Sequence, residues 1–192
     1  MEQKAKFKKD VTLSKLDENN ILIAEFNYAA QSAFQANEDR VRIFNFVFAN
    51  ILTLAVSLAL PVFNNSLDTR LFGYVFIALS GIGVLSLLQL IRLRAAWRSS
   101  ILTMNQIKDY YVKHGQNDLA KAFKWTTSTI PSGVKVFSLS FLMGLALILL
   151  NSFATSAAVY FLLSQRNLHI AITGITLTLV QLLFWVFANN RD

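Results

Sequence analysis

Cysteine is absent from this chain, and histidine and proline occur only twice each in 192 residues. Without cysteine there is no disulfide framework, no thiolate nucleophile and no Cys-ligated metal. His114 and His169 are too few for most imidazole-based metal sites. Charge is also scarce: Asp, Glu, Lys and Arg make up 15% of the chain, against about 25% in ordinary soluble domains. Over half the residues are apolar, at 54%. That composition makes the chain a membrane candidate.

The scarcity is patterned. Four windows lack Asp, Glu, Lys and Arg altogether: Ile43 to Phe63, Leu71 to Ile91, Val136 to Leu163 and Ile170 to Ala188. Each has roughly the 20 residues that a hydrocarbon core requires of a helix, and the third is longer than needed. The runs are continuous rather than alternating, which selects helices over a barrel. The N-terminus is basic but has no apolar core behind it, so no signal peptide is expected. The fold expected is all-α: a four-transmembrane-helix protein whose helices extend into a cytoplasmic helical crown.

The cations that remain sort by side. Seven Lys or Arg precede the first window and eight lie between the second and third, so that, with Arg191, 16 of 18 fall on one side. The positive-inside rule makes that side cytoplasmic, with both termini inside. The expected location is therefore a bacterial inner membrane, crossed four times. By this reading 1–42 is a cytoplasmic N-terminal segment and stalk helix, and 43–91 holds transmembrane helices one and two. Cytoplasmic helices fill 92–135, and 136–192 holds transmembrane helices three and four with a short cytoplasmic tail. The outer loops "NNSLDTR" and "SQRNLH" leave no room for an extracellular domain.

No Pro or Gly occurs before Pro61. Ile23, Phe26, Ala30, Ala33 or Phe34, Asn37, Val41, Phe44 and Phe48 recur at three- and four-residue steps. One helix is therefore expected from about residue 20 to about 63, capped by Asn19 or Asn20. It would be about 60 Å long, twice the hydrocarbon thickness. Past Ile91, an amphipathic helix containing Trp97, Ile101, Met104, Lys108 and Tyr111 runs to a stop at Gly115. A short helix, "NDLAKAFKW", and a turn at Pro131 and Gly133 follow. The narrow seam at Ala30 and Ala33 suits close helix pairs, within the chain or between copies, so a homo-oligomer is expected.

Inside the spans the absence of ionisable groups argues against coupled transporters and voltage sensors, though not against a passive pore. Uncharged polar residues share faces instead. Asn50, Thr53 and Ser57 form one stripe, and Gly174, Thr178, Gln181 and Trp185 another. Span three carries Asn151, Ser152, Thr155 and Ser156, with Ser140 and Gly144 as a small-xxx-small pair. Such residues serve either as interhelical glue or as a pore wall. The pore-wall candidates are Asn50, Thr53 and Ser57, then Thr178 and Gln181.

No nucleophile–base constellation, P-loop or GxGxxG is present, so no enzyme and no cofactor are expected. On the cytoplasmic side, cations interleave with Trp97, Tyr110, Tyr111 and Trp125. That pattern fits either interfacial anchoring or binding of phosphates and stacked bases. Arg94, Arg98, Lys108, Lys121 and Lys124 are the candidates for a cytoplasmic protein partner or a nucleotide or oligonucleotide ligand.

The segment "EFNYAAQSAFQANEDRVRIFNF" leads into a span, and "RLRAAWRSSILTMNQIKDYY" leads out of one. In that architecture the chain resembles small helical multi-pass bacterial membrane proteins of anti-phage defence systems. One class is the SLATT effectors, two-span proteins thought to form pores when a cytoplasmic partner signals infection. Another is the four-span membrane subunit of the Kiwa system, a sensor carrying a cytoplasmic DNA-binding partner. The resemblance implies a gated, membrane-disrupting homo-oligomeric pore. Its rival is a non-conducting sensor or scaffold that recruits a soluble partner.

Overall fold

The structure, a computed structural model, describes residues 2–63, 69–114, 123, 126–127, 138–163 and 167–190. Side chains are described for 19–51, 53–54, 70–114, 123, 126–127, 138–163 and 169–189. Four α-helices account for nearly all of it: α1 (Glu2–Phe63), α2 (Thr69–His114), α3 (Leu139–Leu163) and α4 (Asn167–Asn190). Among the described residues there is no strand. Three segments are long and apolar enough to cross a membrane: Arg70–His114 of α2, α3, and His169–Asn189 of α4. The uncharged window Ile43 to Phe63 is the last third of α1.

The helix ends follow local chemistry. The last turn of α2 holds Lys113 and His114, cations that suit the negative end of the helix dipole. At the start of α3, Ser138 Oγ accepts the backbone N–H of Phe141 at 3.2 Å, an N-cap bond. α1 departs from expectation by starting at Glu2 rather than near residue 20. Asn19 is no cap: it lies within the helix, and its Oδ1 accepts the Tyr111 hydroxyl of α2. The expected short helix after Gly115 and the turn at Pro131 lie outside the described residues, apart from Phe123.

Two compact units divide the chain. One comprises Met1–Ala36 and Ala96–Ile130, and the other Asn37–Ala95 and Pro131–Asp192. In the first, α1 buries Ala29, Ala33 and Ala36, and α2 buries Asn105 and Ile107. Asn105 is only 1% exposed; its Nδ2 donates to the Thr126 carbonyl at 3.2 Å. Lys108 is packed rather than solvated, its ammonium 5.9 Å from the Phe26 ring and 5.8 Å from that of Phe123.

The second unit is a four-helix packing with a regular register. α1 pairs with α3 in parallel, Arg40 with Ser140 and Val47 with Leu147. α2 runs antiparallel to α3, Gly73 against Leu162, Ser80 against Thr155 and Gly83 against Asn151. α4 also runs antiparallel to α3, with Trp185 at Gly144 and Gly174 at Ser156. Two apolar clusters fill the interior, Val47–Leu90–Leu147 and Leu87–Ile148–Trp185. The α1 stripe expected from periodicity is displaced by one position. Across both units the buried residues are Ala29, Ala33, Ala36, Arg40 and Val47, while Ile23, Phe34, Val41 and Phe48 are exposed. Close helix approach selects alanine over phenylalanine, and apolar bulk does not by itself mark a packing face.

Candidate functional site

Asn50 and Thr53 are both exposed on α1 in the second unit. The neighbouring face of the same helix, at Val47, Ile51 and Leu54, is turned inward. Asn50 Nδ2 donates back to the Phe46 carbonyl at 2.7 Å, which holds the amide beside its own helix. Ser57 lies in α1, but its side chain is outside the described residues. Asn50 also borders a cavity of about 130 Å³ between α1, α2 and α3, whose lining includes Asn151.

The second polar stripe is placed differently. Gln181 is 7% exposed and sits inside the second unit, between the Gly144–Trp185 and Ser156–Gly174 levels of the α3–α4 seam. Thr178 is half-buried, its Oγ1 donating to the Gly174 carbonyl at 2.8 Å. Around this seam the Gln181 amide, Ser152 Oγ and Trp185 Nε1 are buried without a hydrogen-bond partner among the described residues. Between α2 and α3, the Ser80 and Thr155 hydroxyls are 2.7 Å apart. Thr155 commits its proton to the Asn151 carbonyl at 3.0 Å, so Ser80 is the donor to Thr155. That bond joins span residues which the sequence presents only as separate polar positions.

One end of the unit carries a polar layer. Arg40 is 8% exposed and donates to Ser140 Oγ at 2.5 Å and to Asn37 Oδ1 at 2.7 Å. The Arg94 guanidinium lies 5.6 Å from the Trp185 ring, and Asn189 Nδ2 donates to the Trp185 carbonyl at 2.7 Å. Arg42 is exposed and faces Glu38 at 3.5 Å and Asp39 at 3.6 Å, surface pairs of small energetic weight. This layer marks where the apolar windows of α1 and α2 begin and end.

The candidate ligand-binding cations are divided between the units. Arg94 belongs to the second; Arg98 and Lys108, both half-buried, belong to the first. Lys108 Nζ donates to Asn105 Oδ1 at 3.4 Å. Asn105 itself is the buried residue that sequence reasoning passes over. Its signal was a polar residue four positions after Ile101 and three before Lys108, on the apolar face of the amphipathic helix. Lys121 and Lys124 lie outside the described residues. No protein-family model, curated protein or solved structure matches the chain.

Proposed function

We propose that this chain is the protomer of a homo-oligomeric pore in a bacterial inner membrane. It acts there as a gated, membrane-disrupting effector, in line with the architectural resemblance to anti-phage defence proteins. The observation that carries the reading is the exposure of Asn50 and Thr53 on α1, within an otherwise apolar window. A carboxamide at that depth is poorly served by hydrocarbon, which offers it no partner. A ring of copies gives it water or a neighbouring chain instead. In this reading Asn50, Thr53 and Ser57 form the wall, while Thr178 and Gln181 brace α3 against α4. The 92–135 region, with Arg94, Arg98, Lys108, Lys121 and Lys124, takes up the triggering partner or anionic ligand on the cytoplasmic side.

Purified full-length protein in liposomes is expected to release an entrapped ion or dye. Asn50→Leu combined with Thr53→Val is expected to cut that release at least tenfold. Absence of leak under every condition that triggers function in cells would sink the proposal.

A second reading has one observation of its own. Ile21, Ile23, Tyr28 and Phe34 are exposed in the first unit, outside the apolar windows, Phe34 at 64%. Ile21 with Tyr28 and Ile23 with Phe34 recur at helical spacing on α1, and exposed apolar surface outside the apolar windows is a place for a partner to bind. A non-conducting scaffold would use them to hold a soluble partner. Full activity in the absence of any such partner removes that reading.

A further inference from the structure

The cavity between α1, α2 and α3 is walled mainly by apolar side chains, with two amides on its lining. Leu54, Phe76, Leu79, Leu150 and Ala154 are among its apolar walls, and its polar groups come from Asn50 and Asn151. Asn151 is 3% exposed, and neither its Nδ2 nor its Oδ1 has a hydrogen-bond partner among the described residues. A buried amide left this way forfeits both a donor and an acceptor interaction. Gly83 makes the space for it: a Cβ built there would stand 2.8 Å from Asn151 Oδ1. Any larger residue at 83 would push the amide away. The polar end of the cavity is thus set by one missing side chain and one unsatisfied one.

We propose that this cavity binds a small neutral amphiphile bearing a hydroxyl group, delivered from the surrounding hydrocarbon. A hydroxyl is matched to a carboxamide because a single oxygen both donates and accepts. It donates to Asn151 Oδ1 and accepts from Nδ2. The ligand is neutral, since no ionisable residue lines the site and a charge would be desolvated without a counterion. Its size follows from the volume of about 130 Å³; an apolar cavity of roughly 150 Å³ accommodates benzene. A six-carbon alcohol is of that order. Access is from the side, because Phe153 on the lining is itself exposed. The inference is independent of whether the oligomer conducts.

The test is photolabelling of the full-length protein in lipid nanodiscs with a diazirine-bearing hexanol, followed by peptide mapping. Saturable labelling of Leu54, Phe76, Leu150 or Ala154 is expected, with competition by cyclohexanol. Cyclohexane is expected to compete at least roughly tenfold less well, because both hydrogen bonds to Asn151 are lost. Asn151→Leu is expected to abolish that difference, and Ala154→Met, which narrows the cavity from another wall, to reduce labelling by both routes. The proposal is overturned if label spreads without saturation over Leu183 and Phe187, or if cyclohexane competes as well as cyclohexanol. The competition arm uses the native chain, so a variant that fails to fold does not disable the test.

Discussion

Arg40 is the residue where the apolar part of α1 begins, and it is held rather than solvated. Its bonds from Nη1 to Ser140 Oγ and from Nη2 to Asn37 Oδ1 anchor a guanidinium that is 8% exposed. Burial pulls its pKa below the ordinary arginine value, yet arginine starts so high that it stays charged at every working pH. Ser140 is half of the small-xxx-small pair legible in the sequence. The other half, Gly144, receives a different helix, since a Cβ there would overlap the Trp185 indole. Gly81 is the contrast, with nothing near the position of an added Cβ. Gly144→Ala is therefore expected to destabilise the protein by about 1–3 kcal/mol, because a packed indole cannot yield as a flexible chain end does. Gly81→Ala is expected to be neutral or to stabilise by about 0.5–1 kcal/mol through helix propensity. Thermal unfolding of both variants in the same detergent checks the pair. Equal melting temperatures would mean that the α3–α4 contact at Trp185 is not tight.

At the scale of helices, the alternating directions of the second unit rest on a few polar and small contacts set among leucines. The Ser80–Thr155 bond is a direct side-chain hydrogen bond between α2 and α3. A double-mutant cycle with Ser80→Ala and Thr155→Ala is expected to give a coupling of about 0.6 kcal/mol, the usual worth of such a bond between spanning helices. Coupling indistinguishable from zero would show that the two helices are held by packing alone. The apolar runs of α2, α3 and α4, long enough to cross a membrane, and the end of α2 at His114 were legible in the sequence, because an unbroken uncharged run and a Gly with preceding cations are strong local signals. The packing face of α1 was not. Ile23, Phe34, Val41 and Phe48 share helical spacing as well as Ala29, Ala33, Ala36 and Val47 do. Periodicity finds a stripe but does not say what covers it. The same ambiguity separates Asn50, which is exposed, from Gln181, which is buried, although both read as polar residues on a span.

For the whole molecule, the sharpest expectation is its sidedness, because that rests on charge and not on packing. Of 18 cations, 16 fall on what would be the cytoplasmic side, including Lys113 at the end of α2, while Arg70 lies near its beginning. Each Lys or Arg near an interface favours the inner leaflet, whose anionic lipids attract it. The chain has no cysteine of its own, so any thiol introduced reports a single position. Arg70 and Lys113 are both exposed, and each can be replaced by cysteine without opening a core. In intact spheroplasts, Arg70→Cys is expected to react with a membrane-impermeant maleimide. Lys113→Cys is expected to react only after the membrane is permeabilised. The reverse pattern would place 92–135 outside the cell and remove the basis for a cytoplasmic trigger, whichever of the two functional readings holds. Labelling of both positions in intact cells would mean that the segment between them does not cross the bilayer.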